Sequence, residues 1–305
     1  MSIQLPPYLK KGDTIGITCP AGYMDVVKAE ECIKVLQEVW GFKVKVGATL
    51  GGTSQTYFSG TDEERLADLQ AMLDDEEVNA ILFGRGGYGM GRIIEQVNFK
   101  KFKKKPKWVA GFSDITIFHN HVNRNLKIAT LHAPMAAAFN DGGYQNKYVK
   151  SLKSALLGQK AAYKTTANPL NVEGEATGQL IGGNLALFTH TIGTSSEPKT
   201  KGRILFLEDI GEQKYNIDRM LTQLKRSGKL DKLAGLIFGK FTDNCDTERP
   251  FGQDVPEILH HIVKEYEYPV CYDFPVSHDK ENYALKVGVE YRLNINKRQV
   301  TLAEL

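Results

Sequence analysis

The sequence is short of cysteine, of long apolar runs and of net charge, and each shortage excludes a class of protein. Its four cysteines are scattered, with no C-x-x-C pair and no dense disulfide pattern. No run of about 18 apolar residues occurs, so we expect no membrane span. With 39 basic and 36 acidic residues the net charge is +3, which is too balanced to indicate nucleic acid or an anionic membrane as a partner.

The first residues, MSIQLPPYLKKGDTIGI, contain neither an apolar h-region nor a small-residue cleavage site. We therefore expect no secretion signal, and the scattered cysteines favour a reducing cytoplasm. The content of 42% hydrophobic and 25% charged residues is ordinary for a globular protein of one large or two ordinary domains.

The first half of the chain alternates short apolar runs with stretches of helical periodicity. This pattern predicts a mostly parallel sheet flanked by helices, whose ligands bind beyond the carboxyl ends of the strands. Residues 25–41 are predicted to form a helix, with Cys32 and Leu36 on its apolar face together with Val26 and Val39. Thr61 and Glu64 form the pattern of a capping box.

A polar stretch follows, and then apolar runs and helical stretches resume. We predict an α/β fold with an N-terminal domain over 1–160, a linker over 161–177 and a smaller C-terminal α/β domain over 178–305. The last segments alternate polar and apolar residues, which predicts a closing β-hairpin.

The glycine-rich segment GRGGYGMGR, residues 84–92, matches G-x-G-x-x-G and follows an apolar run. The motif is typical of a dinucleotide-binding loop, but here it follows the third predicted strand, and no acidic residue ends a clear strand about 20 positions later. Two other interpretations stay open: a tight turn that needs positive φ, and a loop whose amide contributes to an oxyanion hole.

The segment GFSDIT places Ser113 where a strand meets a helix. A serine there is pushed clear of the backbone, and the Asp114 amide beside it lies at a helix N-terminus, as in a nucleophile elbow. Ser113 and Asp114 could instead serve only as helix caps. Cys19 is a second candidate nucleophile, although a small buried cysteine is the more ordinary interpretation.

A serine nucleophile needs a base and an orienting acid. Among seven histidines, His278 lies in a polar loop after a buried strand, and His132 ends a strand at the active edge of the sheet. Glu208 and Asp209 end another apolar strand. The order Ser113, Glu208, His278 matches one known order of nucleophile, acid and base.

Several motifs in one order resemble those of the LD-carboxypeptidases, the murein tetrapeptide carboxypeptidases of bacteria. The resemblance spans nearly the whole chain and rests on RGGYG, GFSDIT, GGNLALFTHTIGT, LEDIGEQKYNIDRMLTQL and FPVSHDKENYALKVGVEYRL. It implies a serine peptidase in which Ser113 is the nucleophile, Glu208 the acid and His278 the base. Ser277 stands where family members often have glycine.

The resemblance also implies that the amides of Gly87 and Asp114 form the oxyanion hole, with no metal and no cofactor. Arg85, Gly86 and His132 are expected on the substrate side, with Arg85 the candidate for the free carboxylate of the peptide. The implied activity is removal of the terminal D-alanine from the murein tetrapeptide, a small peptide substrate, during cell-wall recycling in the cytoplasm, by a homodimer. The alternatives are a microcin C-type acyl-sulfamoyl-adenylate hydrolase and, less favoured, a nucleotide-binding oxidoreductase.

Overall fold

The computed structural model describes residues 3–305, which divide into two compact units. The first unit runs up to Gln159 and includes Tyr283–Val287; the second comprises Lys160–Asn282 and Gly288–Leu305. Each unit has its own sheet with helices, so the predicted α/β class is confirmed. Within residues 3–305, no helix combines the length and the apolar character needed to cross a membrane.

The regular elements are as follows. The strands are β1 (Thr14–Thr18), β2 (Lys43–Val46), β3 (Val78–Phe83), β4 (Trp108–Gly111), β5 (Thr130–His132), β6 (Ala162–Thr166), β7 (Gly174–Asn184), β8 (Ile204–Ile210), β9 (Gly235–Thr242), β10 (Val270–Cys271), β11 (Leu285–Val287), β12 (Glu290–Ile295) and β13 (Gln299–Glu304). The α-helices are α1 (Glu30–Lys34), α2 (Asp62–Asp74), α3 (Met90–Ile93), α4 (Lys100–Lys104), α5 (Thr116–Leu126), α6 (Lys147–Leu156), α7 (Leu185–His190), α8 (Lys214–Arg226) and α9 (Val255–Val263).

The sheet of the first unit has the order β11-β5-β4-β3-β1-β2. All neighbours are parallel except β11, which runs antiparallel to β5. The buried patterns of β1, β3 and β4 are those of strands covered on both faces. The carboxyl ends of β3 and β4 therefore lie side by side, which brings together the two segments that follow them.

The local sequence predicts where a helix starts more reliably than it predicts which residues of the helix are buried. The capping box at Thr61 and Glu64 is present and begins α2. The predicted single helix over 25–41 is instead a 3-10 turn, α1 and a π-helical stretch over Val35–Val39. Because a π-helix shifts the residues that follow it around the axis, Val39 is exposed, although Leu36 is fully buried.

The sheet of the second unit has the order β10-β9-β8-β7-β12-β13-β6. Strands β7 to β10 are parallel, and the remaining strands pair antiparallel. The predicted closing hairpin is present as β12 and β13. Helices α7, α8 and α9 pack their apolar faces against the parallel half around Phe188, Leu221 and Ile258.

The segment predicted as a linker, 161–177, is different in the structure. Its residues form β6, which pairs with β13, and the beginning of β7, which pairs with β12. The exposure of β6 alternates between exposed and partly exposed, as in an edge strand that buries little side-chain surface. Such a strand has almost no apolar periodicity, which is why its sequence resembles that of a linker.

Candidate active site

Ser113 lies on a sharp turn directly after β4. Its φ is +64°, one of four positive φ values among the non-glycine residues that the structure describes, and Ser113 is half-buried. An L-residue in this region is disfavoured, and such strain is found most often at functional positions. His119 stabilises the turn, because its Nε2 donates to the carbonyl of Gly111, the last residue of β4, at 2.8 Å. Burial lowers the pKa of His119 to about 4, so its ring stays neutral.

The glycine loop after β3 lies against Ser113. A Cβ atom at Gly86 would lie 2.8 Å from Cβ and 3.1 Å from Oγ of Ser113, and 3.3 Å from the Asp114 amide nitrogen. Only glycine therefore permits this approach. The amide of Gly22 donates to the Gly86 carbonyl at 3.1 Å and fixes the loop from its other side. The serine hydroxyl, the Asp114 amide and the start of the Gly86–Gly87 segment thus meet within one unit.

Asp114 joins the two loops through its side chain. The carboxylate is fully buried and accepts the Met90 amide at 2.7 Å, at the first residue of α3. Burial raises the pKa of Asp114 to about 6. The carboxylate thus lies at the helix start where a dinucleotide-binding loop would hold its pyrophosphate.

The other glycines of the fingerprint also have protein neighbours. A Cβ at Gly84 would lie 2.5 Å from the Cys19 sulfur, and Gly89 has a φ of +147° beside the Arg65 guanidinium. Packing against Cys19 and the backbone conformation of the loop therefore explain Gly84 and Gly89 without a ligand. This counts against the dinucleotide interpretation. Cys19 itself is fully buried, and burial raises its pKa to about 12, so it is not a nucleophile at neutral pH.

A buried arginine braces the glycine loop, and no local sequence pattern predicts it. Arg65 is completely buried; its Nη1 donates to the carbonyls of Pro20 at 2.5 Å and Gly89 at 3.1 Å, and its Nη2 pairs with Asp62. It lies in the charged helix α2, where an arginine ordinarily faces solvent.

The two other side chains predicted on the substrate side differ in exposure. Arg85 is exposed, and its Nη1 donates to the Tyr23 carbonyl at 2.9 Å. His132 is fully buried opposite Gly111 in the sheet, and its ring contacts that of Phe112 with centroids 5.8 Å apart. This position favours support of the turn by His132 over ligand contact.

In the second unit, Glu208 and His278 form a hydrogen-bonded pair. Nδ1 of His278 donates to Oε2 of Glu208 at 2.6 Å; the carboxylate is fully buried and the imidazole is 12% exposed. Burial lowers the pKa of His278, but the charge and hydrogen bond of Glu208 outweigh it, and the pKa is raised. Because Glu208 accepts from Nδ1, any proton exchange at this imidazole would use Nε2.

Gly239 allows this pair to form. It lies on β9, and a Cβ there would be 2.2 Å from the Val276 carbonyl oxygen and 3.0 Å from Cβ of Glu208. The next amide, that of Lys240, donates to the same carbonyl at 3.1 Å. Glycine therefore lets the loop that carries His278 lie directly on β9.

Ser277 stabilises the turn around His278. Its buried hydroxyl donates to the Glu281 carbonyl and accepts the Asp279 amide, both at 3.0 Å. Ser277 thus closes the loop with two hydrogen bonds.

Asp209, the neighbour of Glu208, has a different role. It accepts hydrogen bonds from the Asn184 side chain at 2.7 Å and from the amides of Ala186 and Ile210 at 3.0 and 2.8 Å. Burial, and then the charge of Glu208, raise the pKa of Asp209 to about 7. Asp209 therefore supports the start of α7, whereas Glu208 orients the histidine. Among residues 3–305, no group of three or more His, Cys, Asp or Glu side chains could hold a metal ion.

Comparison with known proteins gives one answer for both halves of the chain. Residues 15–133 match the LD-carboxypeptidase N-terminal domain, and residues 177–293 match the LD-carboxypeptidase C-terminal domain. A probable murein peptide carboxypeptidase of Bacillus subtilis is 35% identical over 302 residues, which cover 97% of this chain and 93% of that protein.

Solved structures agree with this result. A muramoyltetrapeptide carboxypeptidase from Oxalobacter formigenes matches with a TM-score of 0.86 and 27% identity, over 95% of this chain and 98% of that one. The microcin C7 self-immunity protein MccF shares the fold, with a TM-score of 0.85 and 21% identity over 99% of each chain. The chain therefore belongs to the LD-carboxypeptidase family of peptidases.

Proposed function

We propose that the protein is a serine carboxypeptidase that hydrolyses the bond between an L-centre and the terminal D-alanine of the murein tetrapeptide. The observation that carries the proposal is the strained turn that presents Ser113 beside the glycine loop. The names of the relatives, a murein peptide and a muramoyltetrapeptide carboxypeptidase, support the choice of substrate.

In the first step, Nε2 of His278 accepts the proton of the Ser113 hydroxyl, and the serine oxygen attacks the scissile carbonyl carbon. The carbonyl oxygen becomes an oxyanion, which the amides of Gly87 and Asp114 stabilise. Removal of one such donor typically costs about 3 kcal/mol of transition-state stabilisation. The position of Gly86 against Ser113 and the Asp114 amide supports this assignment.

The second step releases the amine. Protonated His278 gives its proton to the nitrogen of the leaving D-alanine, and the C–N bond breaks to leave an acyl-enzyme on Ser113. Glu208 keeps the proton of the imidazole on Nδ1 and stabilises the charged ring, as the hydrogen bond of 2.6 Å supports. Water then attacks the acyl-enzyme with the same histidine as base, and Ser113 is regenerated.

A carboxypeptidase must also recognise the free carboxylate of its substrate. Arg85 is our candidate, because it is exposed, lies two residues after the end of β3 and carries a guanidinium that can pair with both carboxylate oxygens. Its bond to the Tyr23 carbonyl uses Nη1 and fixes the position of the side chain.

We further propose a role in peptidoglycan recycling in the cytoplasm, as a homodimer. The four free cysteines support a reducing compartment. Sedimentation of the purified protein tests the oligomeric state: a single species of twice the chain mass is expected, and a monomer at micromolar concentration would contradict it.

The test is release of D-alanine from L-Ala-γ-D-Glu-(diamino acid)-D-Ala, followed by mass spectrometry, with Ser113→Ala in parallel. We expect release by the native protein and a loss of about 10⁴-fold or more in the variant. Full release by the variant would remove Ser113 from the mechanism. If the folded native protein releases no D-alanine but cleaves an aminoacyl-sulfamoyl adenosine, the substrate is of the microcin type and not a murein peptide.

A further inference from the structure

Two exposed side chains, those of Arg85 and Tyr57, lie beside two neighbouring glycines, Gly22 and Gly87. A Cβ atom at Gly22 would be 3.2 Å from Nε and 3.4 Å from Cζ of Arg85. A Cβ atom at Gly87 would be 2.8 Å from the Tyr57 hydroxyl and 3.5 Å from Cα of Gly22. The guanidinium and the phenol hydroxyl therefore both lie close to the place where Gly22 meets the glycine loop.

The backbone of Tyr23 holds the side chain of Arg85 and the backbone of Tyr57. Its carbonyl accepts from Nη1 of Arg85 at 2.9 Å, and its amide donates to the Tyr57 carbonyl, also at 2.9 Å. Both contacts lie within the first unit.

The ring of Tyr57 is braced but not buried. Its side chain is 56% exposed, and it meets the ring of Phe58 edge to face at 5.3 Å. Phe58 in turn carries the guanidinium groups of Arg65 and Arg92 over its ring, at 4.8 and 5.4 Å from the centroid. An aromatic side chain held over a loop in this way, with more than half of its surface in solvent, contributes little to a core and is available to a ligand.

We propose that Tyr57 and Arg85 together bind the terminal carboxylate of the peptide, and that Tyr57 is a specificity-determining residue of the enzyme. The proposal rests on the function proposed above. The terminal carboxylate lies one residue beyond the scissile carbonyl, and the Tyr57 hydroxyl lies beside Gly87, the residue that follows the glycine in contact with Ser113. A guanidinium supplies charge and paired donors to a carboxylate, and a phenol hydroxyl supplies a further donor.

The test compares the acid tetrapeptide with the same peptide ending in D-alaninamide, which has no terminal charge. For Tyr57→Phe we expect kcat/KM to fall about tenfold on the acid and less than twofold on the amide, because a hydrogen bond to a charged group is lost only with the acid. Arg85→Met should reduce the preference for the acid further. The double variant should lose less than the product of the two single losses, since both side chains bind one group.

Tyr88→Phe is the matched control. Tyr88 is an exposed tyrosine of the glycine loop that carries Arg85, but its ring packs on Phe58 and its hydroxyl interacts with Arg92. The Tyr88→Phe variant should leave the ratio of kcat/KM on the acid to kcat/KM on the amide unchanged.

Competition by free D-alanine gives a second readout that does not depend on turnover of the amide. Its inhibition constant should rise about tenfold in Tyr57→Phe and stay unchanged in Tyr88→Phe. Equal acid preference and equal inhibition in Tyr57→Phe and the native protein would overturn the proposal. If the native protein itself releases no D-alanine, it is the proposed function that fails.

Discussion

The two units position their reactive groups by different means. In the first unit the backbone does it: Ser113 has a positive φ, and glycines allow the loop of Gly86 to touch it. In the second unit side chains do it: a buried carboxylate holds His278, and the neighbouring Asp209 holds the start of α7. A nucleophile needs exposure and an exact backbone direction, whereas a base needs a fixed tautomer and a shifted pKa.

This difference predicts how each half should fail. Relieved backbone strain should be the main structural effect of a change at Ser113, and a lowered pKa of His278 should be the main effect of a change of charge at Glu208.

Replacement of Ser113 by glycine should separate activity from stability. We expect kcat to fall by about 10⁴-fold or more, because the proposed nucleophile is lost. The free energy of unfolding should rise by about 1 kcal/mol, since glycine accepts a φ of +64° without strain. Thermal and denaturant unfolding of Ser113→Gly and Ser113→Ala measure this. A glycine variant less stable than the alanine variant would show that the turn is not strained.

Replacement of Glu208 by glutamine should keep the size of the side chain and remove its negative charge. We expect kcat to fall roughly 10³- to 10⁴-fold, as is typical when the orienting carboxylate of a triad is lost. His278 must be neutral to act as a base, and Glu208 raises its pKa. In the pH profile of kcat/KM, the midpoint of the acidic limb should therefore lie above the ordinary histidine pKa of 6.5 in the native protein. It should move to lower pH in the variant. An unmoved limb would mean that another group titrates.

The same shift has a consequence for stability. A histidine whose pKa is raised on folding stabilises the native state fully below its unfolded pKa, and this contribution is lost as pH rises through the folded pKa. Stability measured between pH 6 and 8 should accordingly depend less on pH in Glu208→Gln than in the native protein.

Replacement of Asp114 tests whether the glycine loop needs its buried carboxylate. Asp114→Ala should lower kcat about 10- to 100-fold with little change in KM, since the loop loses its bond at Met90 and the oxyanion donors shift. Asp114→Asn keeps an acceptor and should restore most of the rate. An alanine variant with native kcat would leave the carboxylate a purely structural role.

Replacement of Gly239 by alanine should have the smallest effect on the rate. The new methyl group meets the Val276 carbonyl and displaces the loop of His278, so we expect about a tenfold loss of kcat. Gly235→Ala on the same strand is the control, because a Cβ there would lie 3.1 Å or more from its nearest neighbours instead of 2.2 Å. Equal rates in the two variants would contradict the positioning role of Gly239.

The sequence indicated the elements and the residues at their ends, because strand ends and caps carry local patterns. Ser113, Glu208 and His278 were predicted in this way, each at the end of an apolar run or in the loop after one. Arg65 and Tyr57 could not be found, since their roles depend on contacts with Gly89 and Gly87, more than twenty residues away. Gly239 was missed for the same reason: nothing near it in sequence indicates the carbonyl of Val276.

The most direct test asks whether the serine of one unit depends on the acid–base pair of the other. The protein is treated with a fluorophosphonate, which reacts with activated serines, and the adduct is located by peptide mass spectrometry in native protein, Glu208→Gln and His278→Ala. If Glu208 and His278 activate Ser113, one adduct should form on Ser113 in the native protein and be nearly absent from both variants. Labelling of Ser113 at the native rate in the variants, or no adduct on Ser113 at all, would contradict it.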